Sequence, residues 1–323
     1  MAIISASRKT DIPAYYSDWF LNRLEKKEFC LRNNPYKPEA VSRVHFYKKE
    51  DIDCIVFWTK NPIPMMSKLD RLDGYKYYFQ FTLTGYGRQI EAGLPDKDEL
   101  IETFRELSLK TGGNVVWRYD PIIIDDAHTF DWHIKMFTKI AGRLNGFTDR
   151  CVISFVDLYS FVDKNLKNAG FLALDVNNVQ KKFTHQFLDF CKRISDIAHF
   201  NGMTVYTCAE EITLANVGIE HGSCIDKNLI EKIVGYQIKA GKDKGQRSAC
   251  LCAESVDVGT YDTCRNGCRY CYACKNPDAF KKHMRMYSST SPILCDCLRD
   301  TDVVTEKVLG SLRVIEDAQL TLF

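Results

Sequence analysis

Three cysteines near the end of this 323-residue chain have a spacing that suits metal binding. Cys264, Cys268 and Cys271 form a C-x3-C-x2-C pattern, which we call the ladder. Three thiolates on one tight loop can hold three irons of a [4Fe-4S] cube, because thiolate sulfur is a soft ligand for iron. The fourth iron is then free to bind a small molecule. The ladder therefore predicts an iron–sulfur cluster with one open position.

The same stretch also supports a structural zinc site. Cys268, Cys271 and Cys274 give two successive C-x2-C steps, and Cys250 and Cys252 lie shortly upstream. Structural zinc takes four such ligands in a closed tetrahedron. A zinc site therefore remains the alternative to the iron–sulfur cluster.

Ten of the fourteen cysteines lie after residue 207. Clustered cysteines in a chain without an export signal indicate metal binding rather than disulfides. Four of the ten are a complete ligand set for a second [4Fe-4S] cluster, with zinc or free thiols as alternatives. We call them the four-cysteine group: Cys208, Cys224, Cys250 and Cys252. The remaining three are Cys274, a rival fourth ligand, and the unassigned Cys295 and Cys297.

Short apolar runs alternate with amphipathic helical patterns over the first 207 residues. Strands are predicted at 3–7, 54–58, 77–83, 115–119, 152–155 and 203–207, and helices at 15–27, 98–110, 131–144 and 179–200. Helices that end at glycine and strands without polar alternation are typical of βα units. The pattern predicts an α/β fold whose parallel sheet is open or closed into a partial (β/α)6 barrel of the TIM type.

The pattern loosens after Cys208, where the chain becomes rich in cysteine and turns. We expect residues 1–207 to form the partial βα barrel. Residues 208–323 are expected to form a cysteine-rich iron–sulfur segment integrated with the barrel, ending in a helix at 303–317.

Polar residues that follow the predicted strands are the natural site candidates, because barrel sites lie at the C-terminal ends of strands. An arginine there can hold a carboxylate in a two-pronged contact. The structural alternatives are ion pairs, Arg118 with Asp120 or Arg8 with Asp11, and helix caps formed by threonine or asparagine. The candidates are Ser7, Arg8, Asp11, Thr59, Lys60, Asn61, Thr82, Thr84, Arg118, Asp120, Ser154, Asp157, Glu210 and Glu211.

Composition and charge give no general signal for a nucleic-acid or membrane partner. The net charge is +2, which gives no general attraction to nucleic acid or to a membrane surface. The sequence has no apolar run of about 18 residues, so no membrane span is expected. The first residues do not resemble a secretory signal. We expect a cytoplasmic protein.

Tyr270 directly precedes the third cysteine of the ladder, and with this aromatic the loop resembles that of radical S-adenosylmethionine (SAM) enzymes. The resemblance implies an oxygen-sensitive enzyme in which the open iron binds SAM. Reductive cleavage of SAM then yields a 5′-deoxyadenosyl radical that abstracts hydrogen from a substrate, here unknown. It also implies an electron donor such as flavodoxin or ferredoxin. The implied cofactor-binding residues are Tyr270 at the adenine, Arg118 at the SAM carboxylate, Thr82 and Ser154 at the ribose or methionine, and Thr59, Lys60, Asn61 and Asp120.

A closer resemblance covers nearly the whole chain. It is to domain-of-unknown-function family 1848, whose C-terminal cysteine cluster is similar to the N-terminal one of radical SAM enzymes. The segments that carry it include SASRKTDIPAYY, IVFWTKNPIPM, YYFQFTLTGY, VVWRYDPI, CVISFVDLY, CAEE, GIEHGSCID and KDKGQRSACLC. TKNPIPM and RYDPI are also loosely similar to spore photoproduct lyase.

The ladder stands near the end of the chain, whereas radical SAM enzymes usually carry it after the first barrel strand. We expect the late segment to return the ladder to the C-terminal edge of the strands. The alternative functions are a non-catalytic iron–sulfur or zinc protein and a nucleic-acid lesion-repair lyase. Basic stretches such as KDKGQR and KKHMR give nucleic acid as a partner only weak support.

Overall fold

The predicted alternation of strands and helices is present in the computed structural model of the protein, which describes residues 2–32, 34 and 36–315. Within these residues the strands are β1 (Ile3–Ala6), β2 (Glu28–Leu31), β3 (Ala40–His45), β4 (Cys54–Thr59), β5 (Tyr77–Thr82), β6 (Val115–Ile122), β7 (Arg150–Phe155), β8 (Thr204–Cys208), β9 (Glu220–Gly222), β10 (Val256–Asp257) and β11 (Val303–Val308). The helices are α1 (Ile12–Tyr15), α2 (Ser17–Lys26), α3 (Ile63–Met66), α4 (Lys97–Lys110), α5 (Phe130–Leu144), α6 (Ser160–Asn168), α7 (Val176–Lys182), α8 (Thr184–Phe200), α9 (Lys227–Val234) and α10 (Pro277–Met286).

The main sheet is parallel, with strand order β10-β1-β4-β5-β6-β7-β8-β9. The six strands predicted from the sequence occupy its centre in the order in which they follow one another in the chain. Such neighbours need crossover connections, and helices supply most of them. The two edge strands, β9 and β10, come from residues after 207. The protein thus has an α/β fold built on a large parallel sheet with helices around it.

The two faces of the sheet are covered by different parts of the chain. Side chains of one face, such as Phe57 and Phe79, belong to the large apolar core formed with the helices. On the opposite face Val56 and Tyr78 pack in a separate cluster with Ile225, near the start of α9. Neighbouring residues of a strand point to opposite faces, which explains this division. The cysteine-rich segment therefore lies directly against the second face of the sheet.

The predicted helix at 179–200 is wrong as a single element. The structure has α7 and α8 there, and Phe183 between them has φ −129° and ψ 36°. The ring of Phe183 lies 6.1 Å from that of Phe130 on α5. Tertiary packing here overrides a continuous helical pattern. No helix among the described residues is long and apolar enough to cross a membrane.

The predicted helix at 303–317 is also wrong. Residues 303–308 form β11, which pairs in parallel with β3, while β2 pairs with β3 on the other side in a small second sheet. Val303, Val304 and Thr305 are β-branched residues that favour a strand. Arg43 on β3 donates to Glu306 on β11 at 3.0 Å across this pairing. Positions 316 and 317 of the predicted helix lie outside the described residues.

Candidate functional site

A cavity of about 450 Å³ lies at the C-terminal ends of the central strands. Its volume falls in the range of about 300–1,000 Å³ that small-molecule sites occupy. Both cysteine sets line it, the ladder and the four-cysteine group. So do most of the other residues predicted from the sequence: Ser7, Arg8, Asp11, Thr59, Lys60, Thr82, Arg118, Asp120, Ser154, Asp157 and Tyr270.

The ladder loop is tied to the ends of β1 and β4 through Asn266. Its side-chain amide donates to Asp11 at 3.0 Å, and its carbonyl oxygen accepts from the Tyr15 hydroxyl at 2.7 Å. Asp11 also accepts from the Thr59 hydroxyl and the Lys60 backbone N–H, both at 2.8 Å. Burial raises the pKa of Asp11 although these hydrogen bonds act to lower it. Asp11 thus joins three separate segments at the edge of the cavity.

The segment that follows β5 holds the other side of the ladder loop. The Gly93 N–H donates to the Asn266 carbonyl, and the Arg269 N–H donates to the Ile90 carbonyl, both at 2.9 Å. A Cβ atom on Gly93 would lie 2.8 Å from the backbone oxygen of Arg265. Real Cβ atoms do not come this close to a carbonyl oxygen, so only glycine permits this contact. The two backbones are therefore packed directly against each other.

Glu91 lies at the centre of a buried polar network next to the ladder. Its side chain is 1% exposed, and it accepts from Lys60 Nζ at 3.0 Å, from Thr84 Oγ1 at 3.0 Å, and from Lys97 and Tyr270. Lys60 Nζ also lies 2.6 Å from the Tyr270 hydroxyl. Burial alone would raise the pKa of Glu91, but the charges of Lys60 and Lys97 lower it to about 2. Glu91 is therefore ionised, and it fixes the aromatic ring of the ladder loop.

The four-cysteine group lies where the second face of the sheet meets the cavity. The Sγ atoms of Cys208 and Cys224 are 2.9 Å apart, and the Ile225 N–H donates to Cys252 Sγ at 3.4 Å. Tyr78, from the interior of the sheet, donates its hydroxyl to the Cys224 carbonyl at 2.5 Å. The group is therefore anchored to the sheet rather than to a peripheral loop.

Arg118 connects the four-cysteine group with the strand ends. Its Nη1 donates to Cys224 Sγ at 2.5 Å, and its Nη2 pairs with Asp120, which also accepts from the Ser154 hydroxyl. Burial would raise the pKa of Asp120, but Arg118 and Ser154 lower it. The Arg118 guanidinium lies 5.2 Å from the Trp58 ring centroid. The ion pair considered as a structural alternative is thus present, and it faces the cavity.

The donor chemistry of both cysteine sets fits iron–sulfur clusters, because each set presents only thiols to one cavity. Two thiolates on one zinc ion lie about 3.8 Å apart, given a Zn–S bond of about 2.3 Å. Thiolates on different irons are further apart, so Cys208 and Cys224 must separate if a metal binds. Within the described residues no three histidine, cysteine, aspartate or glutamate side chains are arranged to hold a single ion.

Several predicted residues lie elsewhere. Asn61 accepts from the Ile63 N–H at 3.2 Å in the turn that leads into α3, whose N-cap residue is Pro62. Glu210 accepts from the Phe155 N–H at 2.8 Å, and burial raises its pKa to about 7. The other predicted residues absent from the cavity lining are Thr84, Glu211, Cys274, Cys295 and Cys297.

Several residues of the site were not predicted from the sequence, among them Trp58, Asp257 and Glu91. Trp58 lines the cavity. It stands two residues after Val56 on the second face of the sheet, so strand alternation could have indicated that it lies on the same face. Asp257 on β10 accepts from the Ser7 hydroxyl at 2.5 Å and the Arg8 N–H at 2.9 Å. Neither Asp257 nor Glu91 follows a strand predicted from the sequence, so no comparable signal marked them.

One of the solved structures to which the chain is similar is a remote match. The match to the D-hydantoinase from Bacillus sp. AR9 covers 52% of this chain, at 10% sequence identity and a TM-score of 0.27. The match covers 38% of that enzyme, and so weak a likeness carries no argument about fold or function. No curated protein matches the chain.

Comparison with family models gives a much wider match. The model of a domain of unknown function, DUF1848, matches residues 3–273. This range includes the main sheet, the four-cysteine group and the ladder, whereas Cys274, Cys295 and Cys297 lie beyond it. The resemblance stated from the sequence is thereby confirmed, and the chain belongs to the DUF1848 family.

Proposed function

We propose that the protein is a radical SAM enzyme on a partial (β/α)6 barrel, in which the ladder holds a [4Fe-4S] cluster that binds SAM. One observation carries the proposal. The ladder comes late in the sequence, yet it lines the same cavity as polar residues at the ends of four different strands: Thr59, Thr82, Arg118 and Ser154. A metal site that only stabilised the C-terminal segment would not need to face this cavity.

The cluster and SAM, when bound, would supply a radical that removes hydrogen from a substrate. The chain would contribute binding, orientation and exclusion of water. Tyr270 offers an aromatic wall that Glu91 and Lys60 hold in place. Both prongs of Arg118 already have partners, so we assign Arg118 to the four-cysteine group rather than to the SAM carboxylate. Thr82, Ser154 and Lys60 line the cavity, and we propose them as the polar contacts of the cofactor.

The four-cysteine group is the proposed place of a second cluster. Its four thiols are all buried or half-buried, and they line the cavity together. Four cysteines complete the coordination of a [4Fe-4S] cluster, so this cluster would have no open iron. A small redox protein such as flavodoxin or ferredoxin is the proposed electron donor.

SAM cleavage by reduced protein tests the proposal. Protein reconstituted anaerobically with iron and sulfide should convert SAM to 5′-deoxyadenosine when a strong reductant is added. Cys268→Ala should abolish the product, because it removes a ladder ligand. Cys297→Ala is the matched control, since Cys297 is exposed and outside the cavity, and it should retain activity.

Each alternative gives a different result. Iron-loaded protein that leaves SAM intact would support a non-catalytic iron–sulfur protein. Stoichiometric zinc without iron after anaerobic reconstitution would support a zinc-binding protein. Equal activity of the Cys268→Ala and wild-type proteins would show that SAM is cleaved elsewhere or by a contaminant.

A further inference from the structure

We propose that Arg8 and Arg118 donate hydrogen bonds to the sulfur atoms of an iron–sulfur centre in the four-cysteine group and raise its reduction potential. The group would then be a redox centre of the cavity rather than a structural support. The inference deepens the proposed function and rests on it in one respect, namely that this group binds an iron–sulfur cluster.

Arg8 is a largely buried cation with an N–H donor group that is unpaired among the described residues. Its side chain is 13% exposed, and its contact with Asp243 is an ion pair at 3.5 Å from Nη1. Within the described part of the chain, its buried Nη2 has no hydrogen-bond partner. A buried donor without an acceptor is costly, and native proteins seldom keep one. An acceptor on a bound group would satisfy it, and the four-cysteine group lines the same cavity as Arg8.

Arg118 supplies the second donor. Its side chain is 7% exposed, and Nη1 contacts Cys224 Sγ at 2.5 Å. The contact is direct evidence that a guanidinium of this chain reaches a sulfur of the group. Asp120 pairs with the other prong and fixes the plane of the guanidinium.

Trp58 brings the two arginines together. The Arg8 guanidinium lies 5.4 Å and that of Arg118 lies 5.2 Å from its ring centroid, so each makes a cation–π contact. The indole N–H donates to the Ser5 hydroxyl at 3.1 Å, which fixes the orientation of the ring. The arrangement places two guanidinium groups, each paired with one aspartate, in the wall of one cavity beside four thiols.

The charge and the hydrogen bonds act in the same direction. A cluster gains negative charge when it is reduced, so nearby cations favour the reduced form. Hydrogen bonds to the sulfur atoms have the same effect on the potential. A zinc site would not use such tuning, because zinc has no redox chemistry. The pair of arginines is therefore better explained by a redox centre than by structural zinc.

The test isolates the second site and measures its potential. In a background with Cys264→Ala, Cys268→Ala and Cys271→Ala, iron remaining after anaerobic reconstitution belongs to the four-cysteine group. Redox titration followed by electron paramagnetic resonance then compares this protein with its Arg8→Gln form. We expect at least a tenfold loss in the ratio of reduced to oxidised cluster at a fixed potential, which is about 59 mV for one electron.

Two further variants make the result specific. Arg8→Lys keeps the positive charge but not the forked guanidinium. It should lower the reduction potential less than Arg8→Gln does. Arg105→Gln removes a surface charge on α4 that pairs with Glu102, and should leave the potential unchanged. An unchanged potential in iron-loaded Arg8→Gln protein would overturn the inference, as would zinc or no metal in the triple-alanine background. A potential shifted by Arg8→Gln, together with reconstituted wild-type protein that leaves SAM intact, would uphold the inference and refute the proposed function.

Discussion

Replacing Glu91 by glutamine should destabilise the protein and loosen the ladder. The ionised carboxylate accepts hydrogen bonds from four side chains: Lys60, Lys97, Thr84 and Tyr270. The glutamine amide offers one accepting oxygen and turns two N–H donors toward groups that are themselves donors. The ammonium groups of Lys60 and Lys97 would also lose their buried counter-charge.

The magnitude follows from the pKa of Glu91. The value of about 2, against an ordinary 4.5, corresponds to roughly 3 kcal/mol of unfolding free energy at neutral pH. The folded pKa is the lower one, so this contribution is fully present above about pH 4.5 and is lost as the pH falls toward 2. At pH 3.5 about 2 kcal/mol should remain.

Urea unfolding of metal-free, reduced protein, followed by circular dichroism, measures this difference. At pH 7 the Glu91→Gln protein should be less stable than wild type by about 3 kcal/mol, and the gap should narrow at pH 3.5. Glu106→Gln on the surface of α4, where Glu106 is 61% exposed, should cost under about 0.5 kcal/mol. A loss below about 1 kcal/mol at pH 7 for Glu91→Gln would refute the account of this network.

Two other substitutions test the packing around the site. Gly93→Ala should lower the free energy of unfolding by about 1–3 kcal/mol and speed iron loss to a chelator, because its Cβ would meet the Arg265 oxygen at 2.8 Å. Gly87→Ala is the control, since there is open space around Gly87. Equal effects of the two substitutions would contradict the packing argument. Burial lowers the pKa of His133 to about 4 from 6.5, so the folded protein holds this side chain neutral. The unfolded chain takes up the proton first, and roughly 3 kcal/mol of unfolding free energy should be lost as the pH falls from about 6.5 toward 4. His133→Gln should show a shallower decline in urea titrations over this interval, and an unchanged decline would exclude His133 as its cause.

The strand ends were predictable because a parallel sheet gathers them at one edge. Thr59, Thr82, Arg118 and Ser154 come from four separate segments, yet the rule that barrel sites lie at the C-terminal ends of strands placed them together. Asn61 has the same kind of position in sequence, but its side chain accepts from the Ile63 N–H before α3 and does not line the cavity. Composition alone does not separate these two uses of a polar residue.

Contacts between distant segments were not predictable. β11 pairs with β3 across more than 250 residues. The sequence does not show such a distant partner, so this segment was predicted as a helix. Glu91 lies in a loop, and its role depends on Tyr270 arriving from 179 residues away. In contrast α10 begins at Asn276 and Pro277, a cap and first-turn proline that local rules could have recognised.

The most direct test of the account is whether SAM contacts an open iron of the ladder cluster. Electron paramagnetic resonance spectra of the dithionite-reduced protein would be recorded with and without SAM. The Cys208→Ala, Cys224→Ala, Cys250→Ala and Cys252→Ala background leaves the ladder as the only proposed cluster site. The account predicts that SAM changes the cluster signal in this protein. An intact cluster signal that SAM leaves unchanged would contradict it.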